Sequence, residues 1–180
     1  MNEWVTVSTP YLAPRAAGEP DPWEQEAARA GLVGRHRLVL TEWRSAPSAV
    51  ASRLGIDQGA MAVLRRRVVT LDDHPVEIAD SWYPRSIAEG TALAEEKPIR
   101  GGAVRLLADL GYVAVRHIED IGVCEPPAEV TPLLGQSPVL ELTRTSYTEA
   151  DTPFEVAVML MSRETTPGRP RRLRYELRTT

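Results

Sequence analysis

VLRRRVVTLDDHPVEIADSWYP, residues 63–84, is the stretch that decides the fold. Two runs rich in β-branched and aromatic residues, 61–71 and 75–83, flank Asp72, Asp73 and His74. Aspartate tolerates the left-handed backbone of a tight turn, so the pattern predicts a β-hairpin. Pro75 fits the first position of the second strand, where a missing N–H costs the ladder least. A regular strand sends Arg65 and Arg67 to one face and Arg66 to the other. The three arginines therefore cannot share one environment, and three explanations compete for them: a nucleic-acid patch, a solvated edge, or the floor of a pocket for an anionic small molecule.

Outward from the hairpin the chain alternates short helices and strands. Residues 1–22 are rich in Pro, Gly and Ala and read as an arm or linker. Within it WVTV could pair as a short strand, with Trp4 and Tyr11 pinning the arm to the body. PWEQEAARAGL reads as a helix capped by Asp21, with Pro22 in its first turn and Gly31 at its end. A strand is expected at 35–43, a helix over APSAVASRLGI, and loop with a short helix at 86–97. GGAVRLLADLGY reads as a helix with Val104, Leu107 and Leu110 on one side. Residues 113–124 alternate weakly as a strand, PPAEVTPLLG forms a helical turn, and two strands surround the turn TEADTP. YELR is a candidate last edge strand. About six or seven locally paired strands with helices between them make an α+β fold on an antiparallel sheet.

Bulk properties narrow the function. The 180 residues amount to one domain with an arm, and 43% hydrophobic with 26% charged residues is ordinary for a soluble globular protein. A net charge of −4 argues against nucleic-acid binding by the chain as a whole. No apolar run approaches the ~20 residues of a membrane span and no signal peptide opens the chain, so a cytoplasmic protein is expected. Cys124 stands alone, and His36, His74 and His117 lack ligand spacing; neither a metal nor another cofactor is expected.

In register, the pieces APSAVASRLGI, VLRRRVVTLDDHPVEIADSWYP, IRGGAVRLLADLGY, IEDIGVCEPPAEVTPLLGQSPVLELTRTSYTEADTPFEV and a terminal YEL resemble the UTRA domain, the effector-binding domain of HutC-type GntR transcription regulators. The resemblance covers roughly residues 23–178. It implies a chorismate-lyase-like antiparallel sheet of about six strands with flanking helices, a pocket for a small metabolite, and homodimers formed through this domain. Family members normally carry a winged-helix DNA-binding domain ahead of it. Only about 22 residues precede the match here, and they contain no helix-turn-helix pattern, so this chain alone is not expected to bind an operator.

The resemblance also implies pocket positions. In family members that sense sugar phosphates, an arginine eight residues before the hairpin proline lines the pocket and matches Arg67, whereas a second, two positions on, falls on Val69. The pocket glutamate four residues after that proline is Ala79, and Asp80 beside it faces the other way. The Ser and Tyr that open the middle helix fall on Gly102 and Val104. The glutamate of P-x-E is kept as Glu155, and the tyrosine six residues beyond is Met161. Arg65 shares the face of Arg67 and joins the candidates. One cation, one anion and an apolar wall remain. Each lost hydrogen-bond partner costs a sugar phosphate roughly 1–3 kcal/mol. The expected ligand is therefore a mostly apolar molecule, such as a secondary metabolite or lipid-like acid, with an acidic or carbonyl group near Arg67.

The leading expectation is a small-molecule sensor acting by population shift. The alternative is an enzyme of secondary metabolism on the same scaffold, a lyase or cyclase using Glu155 as general acid/base and Arg67 as an anchor. Elsewhere, Asp80 is expected to bond turns or backbone, Trp43 and Trp82 to sit in the core, and Met159 and Met161 to line the pocket if they share the side of Glu155. Cys124 is expected to be inert. The run from Arg163 through Arg169, Arg171, Arg172 and Arg174 to Arg178 reads as a solvated hairpin loop and charged edge strand, and as a lid or dimer contact if it folds inward.

Overall fold

The computed structural model describes residues 4–14 and 19–175. In chain order these form β1 (Trp4–Val7), α1 (Pro22–Arg29), β2 (Gly34–Ser45), α2 (Ser48–Leu54), β3 (Met61–Leu71), β4 (His74–Pro84), α3 (Arg85–Ala88), α4 (Gly102–Asp109), β5 (Arg116–Cys124), α5 (Thr131–Leu134), β6 (Val139–Tyr147), β7 (Pro153–Met161), β8 (Glu164–Thr166) and β9 (Arg169–Arg174). The deciding hairpin is β3–β4, with Leu71 paired to His74. Asp72 and Asp73 take φ values of +47° and +63°, the backbone a two-residue hairpin loop demands.

Six strands make one antiparallel sheet in the order β2-β3-β4-β7-β6-β5. Its two faces follow from strand alternation. On one face Leu64, Trp82 and Val156 bury against Val50, Ala51 and Leu54 of α2, while Val68, Ile78 and Leu160 meet Val130 beside α5. Each large apolar side chain so buried contributes about 1.5–3 kcal/mol. On the other face Val63, Tyr83 and Phe154 pack with Leu93 and with Leu107 of α4.

A second, three-stranded sheet has the order β1-β9-β8, with β1 parallel to β9. WVTV thus pairs as expected, though its partner lies near the other end of the chain. Trp4 and Tyr11 do pin the arm. Both donate to the Glu26 carboxylate on α1, Tyr11 Oη at 2.9 Å, and Thr6 Oγ1 adds a third bond at 2.7 Å. Asp21 caps α1 by accepting from the Trp23 N–H at 2.9 Å. A side chain at Gly34 would come within 2.9 Å of Trp23 and Ala27, so only glycine lets α1 lie this close to β2.

Several expectations are corrected. The arginine-rich tail forms a hairpin, β8–β9, with Arg163, Arg172 and Arg174 exposed, but two of its arginines are not solvated. There Arg171 is buried, with Nη1 donating to Glu77 at 2.9 Å, and the Arg169 guanidinium lies 4.8 Å from the Trp4 ring. Opposite charge and aromatic faces inside the fold outweigh the usual exposure of arginine. Trp82 is core, but Trp43 is 36% exposed on edge strand β2, with Arg85 over its ring. Leu110 is exposed past the end of α4, and Ile118, Ile121 and Val123 are exposed because β5 is the other edge of the sheet. Asp80 bonds neither turn nor backbone; it takes a two-pronged pair from Arg66, both contacts at 2.7 Å. Tyr175 follows β9 outside any strand, and Glu176, Leu177 and Arg178 of the expected YELR strand lie outside the described residues.

Candidate functional site

Strand pairing lays out the floor of a cavity residue by residue. Arg67 on β3 stands opposite Ala79 on β4, Ala79 opposite Met159 on β7, and Met159 opposite Leu142 on β6. The next row carries Ser81, Ala157 and Arg144. The row beyond carries Glu155, Ser146 and His117. All of these line one cavity of about 190 Å³, roofed by α4 and closed at one side by arm residues that include Thr6, Ser8 and Tyr11, with Leu173 of β9. The two sheets therefore meet around the hollow, and the arm is part of its wall.

Seven of the eight candidate residues come together here: Arg67, Val69, Ala79, Gly102, Val104, Glu155 and Met161, with Met159 among them. Val69, Ala79 and Met161 are buried, giving the wall its hydrocarbon. Gly101 and Gly102 both take positive φ, +81° and +84°, where α4 begins. A side chain at Gly102 would be strained there, which suits the position to glycine.

Arg65, the eighth candidate, stands apart from them. It is buried, and Nη1 donates to the carbonyls of Ala92, Leu93 and Glu95 at 3.3, 2.9 and 2.7 Å, with Nη2 reaching that of Lys97 at 2.8 Å. It ties down the 92–97 segment and borders a neighbouring hollow that also touches Arg67 and Tyr83. Burial lowers its pKa, yet carbonyl oxygens solvate the cation in place of water. Arg66, on the opposite face, is committed to Asp80, whose bond raises its pKa.

Arg67 differs from both neighbours. It is half-buried on the cavity wall and makes no hydrogen bond or ion pair among the described residues. Glu155, half-buried too, accepts from Tyr83 Oη at 2.7 Å. Burial first, and then the Glu155 charge, hold that phenol well above its ordinary 10.0. Glu155 does not pair with Arg67: the register puts it four residues along β7 from the arginine's row. His117 Nδ1 lies 3.1 Å from Ser146 Oγ, and its pKa is lowered by burial and by the nearby Arg144 charge. Arg144 is in turn neutralised by Glu119 at 2.5 Å. At the mouth, His36 Nε2 is 3.3 Å from Asp21 Oδ1, close enough to attract but not aligned for a hydrogen bond. Cys124 is not among the cavity-lining residues, and burial and Glu141 push its thiol pKa up, which disfavours the thiolate.

Sequence reading missed Tyr83, Arg144, Ser146 and His117. The turn TEADTP held the signal, because folding the chain about it sets Ser146 beside Glu155. The described residues contain no cluster of three His, Cys, Asp or Glu arranged to hold a metal ion. No helix among them is long and apolar enough to cross a membrane.

Comparison with known proteins extends these findings. The UTRA domain matches residues 29–165. An uncharacterized HTH-type transcriptional regulator of Streptomyces coelicolor is 36% identical over 119 residues, which cover 63% of this chain and 44% of the relative, so the chain spans less than half the length of that protein. The crystal structure of PhnF from Mycobacterium smegmatis superposes with a TM-score of 0.71 at 20% identity, covering 98% of this chain and 73% of that one. The ligand-binding domain of a GntR-family transcriptional regulator from Bordetella bronchiseptica superposes with a TM-score of 0.58 at 28% identity, covering 71% of this chain and 85% of that one.

Proposed function

The chain belongs to the UTRA domain family, and from that premise we propose that it is a sensor domain for a mostly apolar metabolite carrying one acidic group. The observation that carries this reading is Arg67: a half-buried guanidinium on an apolar cavity wall, with no partner among the described residues. Leaving such a cation without a counter-ion is unfavourable, and a ligand carboxylate gripped by two parallel N–H bonds supplies what is missing. Val69, Ala79, Met159 and Met161 offer a sugar phosphate no hydrogen bonds but suit hydrocarbon. The Bordetella bronchiseptica relative, described as a ligand-binding domain, supports the same role.

The ligand acts by favouring one arrangement of the protein over another, here one in which the arm closes the cavity, and so biases the regulator of which the domain is part. A homodimer and a cytoplasmic location complete the proposal. Thermal denaturation tests it. Decanoate and aryl carboxylates raise the melting temperature, hexose phosphates do not, and Arg67→Met abolishes the response to acids. A ligand present at one hundred times its dissociation constant stabilises by about 2.7 kcal/mol, well within detection. Stabilisation by hexose phosphates with none by apolar acids refutes the proposal.

A further inference from the structure

The cavity has a second polar end, and it is built differently from the arginine end. Across the sheet, Tyr83 on β4, Glu155 on β7, Ser146 on β6 and His117 on β5 stand side by side and all line the cavity. Their mutual bonds fix them. Tyr83 Oη donates to Glu155 Oε1 at 2.7 Å, and Ser146 Oγ meets His117 Nδ1 at 3.1 Å. Ser146 is 2% exposed, and its hydroxyl has no other hydrogen-bond partner among the described residues. A buried hydroxyl gives its proton to the acceptor it has. Of the two tautomers this contact allows, the one in which Ser146 donates to Nδ1 satisfies the buried hydroxyl proton and keeps the imidazole's own proton on Nε2. The lowered basicity of His117 agrees with a neutral ring.

Two groups of this row remain unused among the described residues: the Nε2–H of His117, a donor, and Oε2 of Glu155, an acceptor. A ligand hydroxyl within reach of both would satisfy them together, since its oxygen accepts and its proton donates. A protonated amine satisfies only the carboxylate and sets a cation before an N–H. Between this row and Arg67 the floor is Ala157, Met159, Ala79 and Leu142. From pairing and strand geometry the Glu155 row lies about 14 Å from Arg67 along the strands; across them Glu155 is about 10 Å away at the backbone, Ser146 about 14 Å and His117 about 19 Å.

We propose that Ser146 and His117 determine ligand specificity, selecting an acid whose far end bears a hydroxyl, with hydrocarbon between the two groups. This rests on the reading of the cavity as an acid-binding sensor site and adds the chemistry of the other terminus. Isothermal titration of the full chain tests it with straight-chain acids from hexanoate to dodecanoate and with their ω-hydroxy and ω-amino counterparts. At the best-fitting length the ω-hydroxy acid binds about tenfold tighter than the plain acid, as expected for one well-made hydrogen-bond pair. In Ser146→Ala and in His117→Leu, changes on two different strands, the ratio of ω-hydroxy to plain-acid affinity falls to about one at every chain length, whatever the plain acid's own affinity becomes. Equal binding of plain and hydroxylated acids by the parent, preference for the ω-amino acid, or a hydroxyl preference that survives both substitutions overturns the inference. Failure of every acid to bind overturns the acid-sensor reading as well, an outcome distinct from acids binding without discrimination.

Discussion

Three adjacent arginines meet three fates, and alternation alone separates only one of them. Arg66 crosses to the far face and pairs with Asp80; Arg65 and Arg67 share a face, yet one is wrapped in carbonyls and the other lines the cavity with no hydrogen bond or ion pair among the described residues. What separates these two is a segment nearly thirty residues away, 92–97, whose folding back over Arg65 no local pattern announces. Among the titrating residues His117 gives a measurable signature. Burial depresses its folded pKa below 6.5, so the unfolded chain binds a proton more readily. The stability this group contributes is present above about pH 6.5 and is lost as the pH falls below it. His117→Gln is expected to flatten that acid-side decline in the urea midpoint, and an unchanged slope would assign the decline to other groups.

At the level of elements, the hairpins were legible because their signals are local. Strand runs at 61–71 and 75–83 appear as β3 and β4 within a residue, and the site positions on them follow from the period of two. The register across β7 and β6 was not used, and so Ser146 was missed. The β1–β9 pairing was illegible for a physical reason: its contacts join the two ends of the chain, and neither strand's sequence names the other. The same distance hid the fate of Arg171, which needs Glu77 and the Trp23 face already in place. Three side chains of the arm converge on a single carboxylate. Glu26→Ala removes the acceptor for Trp4, Thr6 and Tyr11 together and is expected to cost about 2 kcal/mol, hydrogen bonds to a charged group being the stronger kind. Limited proteolysis should then cut within residues 4–14 while the six-stranded sheet stays intact; cleavage no faster than in the parent would mean that β1 is held by its ladder alone.

The whole molecule combines a closed interior with an open edge. β5 presents Ile118, Ile121 and Val123 beside unpaired backbone, a strand that invites a partner. Ile121→Lys is expected to shift a dimer toward monomer in sedimentation velocity without lowering the melting temperature of the monomer; a sedimentation profile identical to the parent's places self-association elsewhere. Because β1 opens the described chain and β9 nearly ends it, and the two run in the same direction, tension between the termini slides one strand along the other. Four paired positions then bear the load at once instead of peeling open in turn. A pull arriving through the arm reaches the cavity wall before any deeper strand yields, which makes this joint a mechanical fuse for the chamber it helps to enclose.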